Sequence, residues 1–211
     1  MKKIPTVKYG LLGEENYITD FIQVENPKLQ RIARALRGRT VDEKIQSVVH
    51  YVAANLEYPL DYRGRPTGAR SVKVFKWWNG FYLADKNLDY GWLLPSQTCE
   101  VKKGICFDSS CLATTLLRLK KVEALTVLGI VLRSKNKRIL GPHAWTETVD
   151  SKGERLVLET TVHPKPAKLV SAKKMYLGKL PVTYDPLAWF NELSYVEDKK
   201  KTRKYEVWLD D

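Results

Sequence analysis

Lys103-Gly104-Ile105-Cys106-Phe107-Asp108-Ser109-Ser110-Cys111-Leu112-Ala113-Thr114-Thr115-Leu116-Leu117-Arg118 is the stretch on which the reading of this chain turns. From Cys111 onward the apolar residues fall at Leu112, Leu116 and Leu119, with Ala113 and Leu117 beside them, which is helical spacing. Gly104 permits the tight backbone geometry needed just before such a helix. A glycine, a cysteine and then a helical run put the Cys106 thiol at a helix N-terminus. The unpaired amides and macrodipole there favour an anion, and so a thiolate. Asp108, in the same first turn, also suits the dipole, although its charge opposes ionisation of Cys106. Cys106 also lines up with Ala113 and Leu117, so a packed core thiol fits the same pattern. From this stretch alone, nucleophile and core cysteine both stand.

Downstream, Val122 to Leu132 is almost continuously apolar and reads as a buried strand bent at Gly129, followed by turn residues from Ser134 to Lys137. Residues 141–149 and 154–161 alternate around Asp150-Ser151-Lys152-Gly153 and predict a hairpin. Its parity matters. With residues 150–153 as a four-residue loop, His143 points away from Glu159. An odd loop puts both on one face, because strand side chains alternate. A three-residue loop ending in a Gly153 bulge pairs them directly.

Upstream, Asp20 to Arg37 reads as mostly helical after Asn26-Pro27, with Leu29, Ile32, Ala33 and Leu36 on one side and Gly38 ending it. Thr40 with Glu43 is a capping-box signature. The helix it opens carries Val41, Ile45, Val48, Val49, Val52 and Leu56 on its apolar face and stops before Pro59. His50 on that helix reads as structural. Residues 1–19 suggest an extended arm, and residues 59–97 a loop-rich segment with aromatic clusters. In the tail, Pro186 to Leu193 reads as a short helix and Glu197 to Lys204 as a charged connector. Tyr205, Val207 and Leu209 suggest a final strand.

At 211 residues and 44% hydrophobic, the chain suits one domain with appendages, and no apolar run approaches a membrane span of about 20 residues. The N-terminal stretch lacks the apolar core of a signal peptide, and three cysteines do not make a disulfide framework, so a cytoplasmic location is expected. The formal charge of +12 suits an acidic partner: nucleic acid, a membrane surface or an acidic substrate. The Trp77-Trp78 cluster with Lys73 and Lys76 offers stacking for a single strand, but no recognisable nucleic-acid module accompanies it. Cys99 and Cys111 lack the CxxC or His spacing of a zinc site, Cys111 reads as packed, and His163 reads as a loop residue.

The ordered set of motifs resembles the transglutaminase-like cysteine peptidase superfamily. The matching pieces are Trp92-Leu93-Leu94-Pro95-Ser96-Gln97-Thr98, Gly104-Ile105-Cys106-Phe107-Asp108 and Leu116-Leu117-Arg118. They continue with His143-Ala144-Trp145-Thr146-Glu147 and Leu158-Glu159-Thr160-Thr161, and the helix ending in Leu56-Glu57-Tyr58 fits as well. The resemblance implies an α+β, papain-like core with a helix-borne cysteine packed against an antiparallel sheet. It divides the chain into an N-terminal arm and helix (1–39), a core (40–162, with 59–97 as a loop-rich insertion) and a C-terminal extension packed on the core (163–211).

It also implies a catalytic triad of Cys106, His143 and Glu159, with Trp92 or Gln97 supplying a side-chain N–H to an oxyanion, and neither metal nor cofactor. Cys106 would form a thioester with a peptide or carboxamide carbonyl, resolved by water or by an amine. The family usually has aspartate where Glu159 stands. That departure keeps open a catalytically silent member of the fold that acts as a binding module.

Overall fold

The computed structural model describes residues 4–9, 14–58, 75–76, 82–83, 92–161 and 168–205. The N-terminal segment is a hairpin rather than a bare arm: β1 (Thr6–Tyr9) pairs antiparallel with β2 (Glu14–Tyr17), and a 3-10 turn follows at Ile18–Phe21. Asn26 caps α1 (Pro27–Ala35) by accepting from the Lys28 and Leu29 amides, and Pro27 fills the first helical position. The predicted capping box opens α2 (Val41–Asn55): Thr40 accepts from the Glu43 amide and Glu43 returns a bond to the Thr40 amide. Two short strands, β3 (Phe75–Lys76) and β4 (Tyr82–Leu83), pair within the loop-rich segment, and the Trp77-Trp78 cluster lies outside the described residues. The segment ends in a helix that sequence reading left as loop, α3 (Pro95–Val101).

The helix α4 (Cys106–Leu119) is the centre of the molecule. Every residue from Phe107 to Leu117 is buried, because one side meets helices and the other a sheet. Leu112, Leu116 and Leu117 pack with Leu29, Ile45, Val48, Val49 and Val52 of α1 and α2. Fully burying each such side chain stabilises the fold by roughly 1.5–3 kcal/mol. Two buried threonines of α4 are hydrogen-bonded: Thr114 joins Thr126 (2.8 Å) and Thr146 (3.2 Å), and Thr115 donates to the Cys111 carbonyl (2.8 Å).

The sheet comprises β5 (Ala124–Arg133), β6 (Ile139–Val149), β7 (Arg155–Glu159) and β8 (Lys168–Ser171), then, after α5 (Ala172–Tyr176), β9 (Val182–Phe190) and β10 (Tyr195–Glu197). Its order is β10-β9-β5-β6-β7-β8 and every pairing is antiparallel. A last helix, α6 (Lys199–Lys204), follows β10.

Two expectations for the tail are corrected. Pro186 to Leu193 is not a helix: most of it belongs to β9, which lies inside the sheet beside β5. Proline is tolerated there because the register shifts beside it. Leu128 pairs with Ala188 and Gly129 with Pro186, so Leu187 is the extra residue of a bulge. The charged stretch 197–204 is not a connector. Asp198 accepts from the Lys201 amide to cap α6, and Lys201 bonds Asp185 of β9 at 2.7 Å. Tyr205 closes that helix, while Val207 and Leu209 lie outside the described residues, as does His163.

Gly129 is held to glycine by space. A Cβ there would sit 2.4 Å from the Asp185 carbonyl oxygen and 2.6 Å from the Trp145 ring. Gly129→Ala should therefore destabilise the fold by about 1–3 kcal/mol, the usual cost of overpacking, read as a lower urea midpoint. An unchanged midpoint would show that the Trp145 ring does not lie over this position.

Candidate active site

Cys106 opens α4 because three separate contacts hold the chain just before it. The Glu57 amide donates to the Lys102 carbonyl (3.0 Å), and the Gly104 amide donates to the Glu57 carbonyl (3.2 Å). The buried Asp108 carboxylate accepts from the Ile105 amide (3.0 Å) and from the Leu93 amide (2.9 Å). One side chain thus caps the helix and ties the Trp92 segment to it. Gly104 makes room: a Cβ there would stand 2.9 Å from Asp108 Cβ. Trp92 stacks on Phe107 with centroids 4.0 Å apart, and Phe107 meets Phe21 edge-on at 5.1 Å.

His143 and Glu159 come together. Val149 lies opposite Arg155 and Thr146 opposite Leu158, and the Asp150 amide donates to the Glu154 carbonyl (3.0 Å), so three residues, 151–153, close the hairpin and the loop is odd. The parity condition is met, and His143 lies diagonally across from Glu159 rather than directly opposite. His143 Nε2 stands 2.8 Å from Glu159 Oε2. The Cys106 thiol is near enough to help raise the imidazole's pKa, and with Nε2 engaged by Glu159, Nδ1 is the ring nitrogen left to serve it.

The Glu159 carboxylate is 3% exposed and needs more than one partner. Tyr184 Oη donates to Oε2 (2.5 Å), and the Thr161 amide (2.9 Å) and hydroxyl (2.7 Å) donate to Oε1. Thr161 therefore supports Glu159 rather than replacing it. Tyr184 also sets its ring edge-on to His143, centroids 5.3 Å apart, and the Trp145 ring lies near-parallel to the imidazole at 6.1 Å. Sequence reading missed Tyr184, because its strand was not recognised around Pro186. The alternation Val182, Tyr184 was the available signal.

The electrostatics follow from this packing. Burial opposes charge on His143, but the Glu159 carboxylate and the bonds to Cys106 and Glu159 outweigh it, so its pKa is raised. Burial likewise works against the Glu159 carboxylate, and His143, Tyr184 and Thr161 together hold its pKa well below the ordinary value. Burial pushes the thiols of Cys99 and Cys111 upward, toward the neutral form.

A cavity of about 650 Å³ fronts the pair, with Cys106, His143, Trp92 and Tyr58 among its lining residues. Gln97 is not on it. Its side-chain carbonyl accepts from the Leu94 amide (2.9 Å) and caps α3. Of the two side chains expected to face an oxyanion, only Trp92 reaches the cavity wall. His50 sits exposed on α2, away from the cavity.

The profile of the transglutaminase-like domain family matches residues 27–174, most of the chain and all of the cysteine, histidine and glutamate segments. The chain belongs to this family. Its helix-plus-antiparallel-sheet architecture is that of a transglutaminase-like domain. Among solved structures, it is similar to a candidate cysteine protease from Cytophaga hutchinsonii at 16% identity and a TM-score of 0.44. That match covers 84% of this chain and spans half the length of the other. It is also similar to Legionella pneumophila LapG at 15% identity and a TM-score of 0.49, covering 90% and 95% of the two chains. A third similarity is to a protein described as a TGase, at 20% identity, a TM-score of 0.41, and 74% and 34% coverage. No curated protein matches the sequence significantly. No helix among the described residues is long and apolar enough to cross a membrane.

The pair has a pH signature. Protonated His143 adds stability that is complete below its ordinary pKa of 6.5 and is lost as pH rises through the raised folded value. Ionised Glu159 adds stability that is complete above 4.5 and is lost as pH falls through the lowered folded value. NMR of the imidazole nitrogens should find His143 still protonated well above pH 6.5 in the native chain. In Glu159→Gln its titration should move sharply downward, because burial then meets less opposition. A native His143 that titrates near 6.5, unmoved by Glu159→Gln, would dismantle the pairing.

Proposed function

We propose that this protein is a cysteine-dependent acyl-transfer enzyme that hydrolyses a peptide or carboxamide bond through a thioester on Cys106. The observation that carries the reading is the relay Cys106–His143–Glu159 opening on a cavity. The imidazole and the thiol at a helix N-terminus line one cavity, and Nε2 of that imidazole meets a buried carboxylate at 2.8 Å.

In this reading the resting pair is thiolate and imidazolium. Cys106 Sγ adds to the substrate carbonyl carbon, and the carbonyl π electrons move to oxygen. The oxyanion takes hydrogen bonds from the Cys106 amide, which has no acceptor inside its own helix, and from the Trp92 indole. As the oxyanion collapses, the C–N bond breaks and the amine leaves with the proton from His143 Nδ1. A thioester remains. Water then adds to its carbonyl, giving one proton to Nδ1, and the thiolate departs as the acid forms. Glu159 stabilises the imidazolium and fixes the ring orientation throughout. An amine in place of water would make the second step a transamidation, with the same residues in the same roles.

Iodoacetamide labelling, mapped cysteine by cysteine at neutral pH, tests the relay. Cys106 should react on the order of 10²-fold faster than Cys99 and Cys111, and His143→Ala should abolish most of that advantage. Cleavage of a mixed peptide library should fall by on the order of 10³-fold or more in Cys106→Ala. If Cys106 reacts no faster than Cys99 and is indifferent to His143, the chain is a silent member of the fold.

A further inference from the structure

Beyond the relay, the cavity has a far wall made by the C-terminal segment: Leu187 and Ala188 of β9, Tyr195 and Glu197 of β10, and Thr202 of α6. Leu128, Leu140 and Trp92 also line the cavity, so the interior is largely apolar. A volume of about 650 Å³ is in the usual range for a site that encloses a ligand group rather than a surface dent.

The charge of this lining runs against the charge of the protein. The chain carries 36 Lys and Arg against 24 Asp and Glu, yet no lysine or arginine is among the described residues on the cavity. Glu197 is. Every other carboxylate nearby is committed. Asp185 holds Lys201 (2.7 Å) and Tyr205 (2.9 Å), Asp198 caps α6, Glu192 pairs with Arg118, and Glu159 serves His143. Glu197 pairs through its backbone with Ala188, while its half-buried carboxylate has no hydrogen bond or ion pair with any described residue. Its charge is felt inside: burial and then Glu197 raise the neighbouring Tyr195 phenol to about 12, which keeps that hydroxyl a neutral donor.

An apolar cavity with one uncommitted carboxylate on its lining is complementary to an apolar stem ending in one positive charge. We propose that the cavity binds a lysine or arginine side chain of the substrate, its stem against Leu128, Leu187 and Trp92 and its charged end at Glu197. Basic side chains lay their methylenes on apolar surface while the charged head finds a partner, and a guanidinium meets a carboxylate through paired hydrogen bonds. The overall +12 charge points to acidic substrates; the wall of the cavity reverses that sign locally. This substrate class rests on the acyl-transfer reading of Cys106, and the test separates the two.

Tripeptidyl chloromethyl ketones with arginine, leucine or glutamate at each position in turn are incubated with the whole chain. Labelling replaces the C–Cl bond by a C–S bond to Cys106 and releases chloride, and its rate is followed by mass spectrometry of the Cys106 peptide. At one position arginine should react about tenfold faster than leucine, and glutamate slowest. Glu197→Gln should lower the arginine-to-leucine ratio by about tenfold, and Glu197→Lys should turn the preference toward glutamate. Equal rates for all three side chains at every position, or a preference that Glu197→Lys leaves in place, would overturn the basic substrate class while Cys106 stands. If no probe labels Cys106, the nucleophile reading fails and this one with it.

Discussion

The interaction on which the site depends is the burial of one carboxylate. An isolated ionised carboxyl group cannot be taken out of water without neutralising or finding partners. Glu159 keeps its charge because donors converge on it from three parts of the sheet: His143 from β6, Tyr184 from β9, and Thr161 just beyond β7. These strands are not all neighbours. In the order β9-β5-β6-β7 the Tyr184 side chain must cross two strands to reach Glu159. Gly129 clears part of that ground on β5, where the Trp145 ring occupies the space a side chain would take, and Tyr184 packs against that ring at 4.8 Å. The bulge at Leu187, the glycine on β5 and the carboxylate on β7 are therefore one requirement seen in three places.

A second buried carboxylate does the corresponding work for the thiol. Asp108 reaches back to the Ile105 amide as any acidic residue in a capping box does, but its other oxygen accepts from Leu93, outside the helix. Trp92 is thereby fixed beside the thiol, and its stacking on Phe107 extends the same platform.

What the sequence made legible was what local chemistry decides. The Thr40–Glu43 box, the Asn26 cap and the apolar runs of α2, α4 and β5 each act within a few residues. Motif order singles out the cysteine, histidine and glutamate, while the sequence leaves open the loop parity on which the meeting of the last two depends. The illegible parts are settled by distant partners. β9 contains Asp185 and Pro186, poor strand residues, and is a strand because a bulge absorbs the proline and Lys201 and Tyr205 satisfy the aspartate. α6 is a run of like charges that would remain a loop without the Asp198 cap and the Asp185 anchor. Gln97 resembles an oxyanion donor by position and serves as a cap because the Leu94 amide lies closer to hand.

The glutamate where the family usually has aspartate follows from the hairpin. Pairing Val149 with Gly153 would set residue 159 directly opposite His143, where facing Cβ atoms stand roughly 4.5–5.5 Å apart. The hairpin instead pairs Val149 with Arg155, a register that places Glu159 across from Trp145, two residues along from His143. His143 is then its diagonal neighbour, and such neighbours stand roughly 7–8 Å apart. The extra methylene of glutamate covers the added distance, and Nε2 and Oε2 meet at 2.8 Å. Loop length, register and side-chain length are coupled, so the glutamate is the residue this hairpin requires if its carboxylate is to reach the histidine. Tyr184 and Thr161 then restrain the longer side chain, which would otherwise surrender rotamer freedom for a single bond.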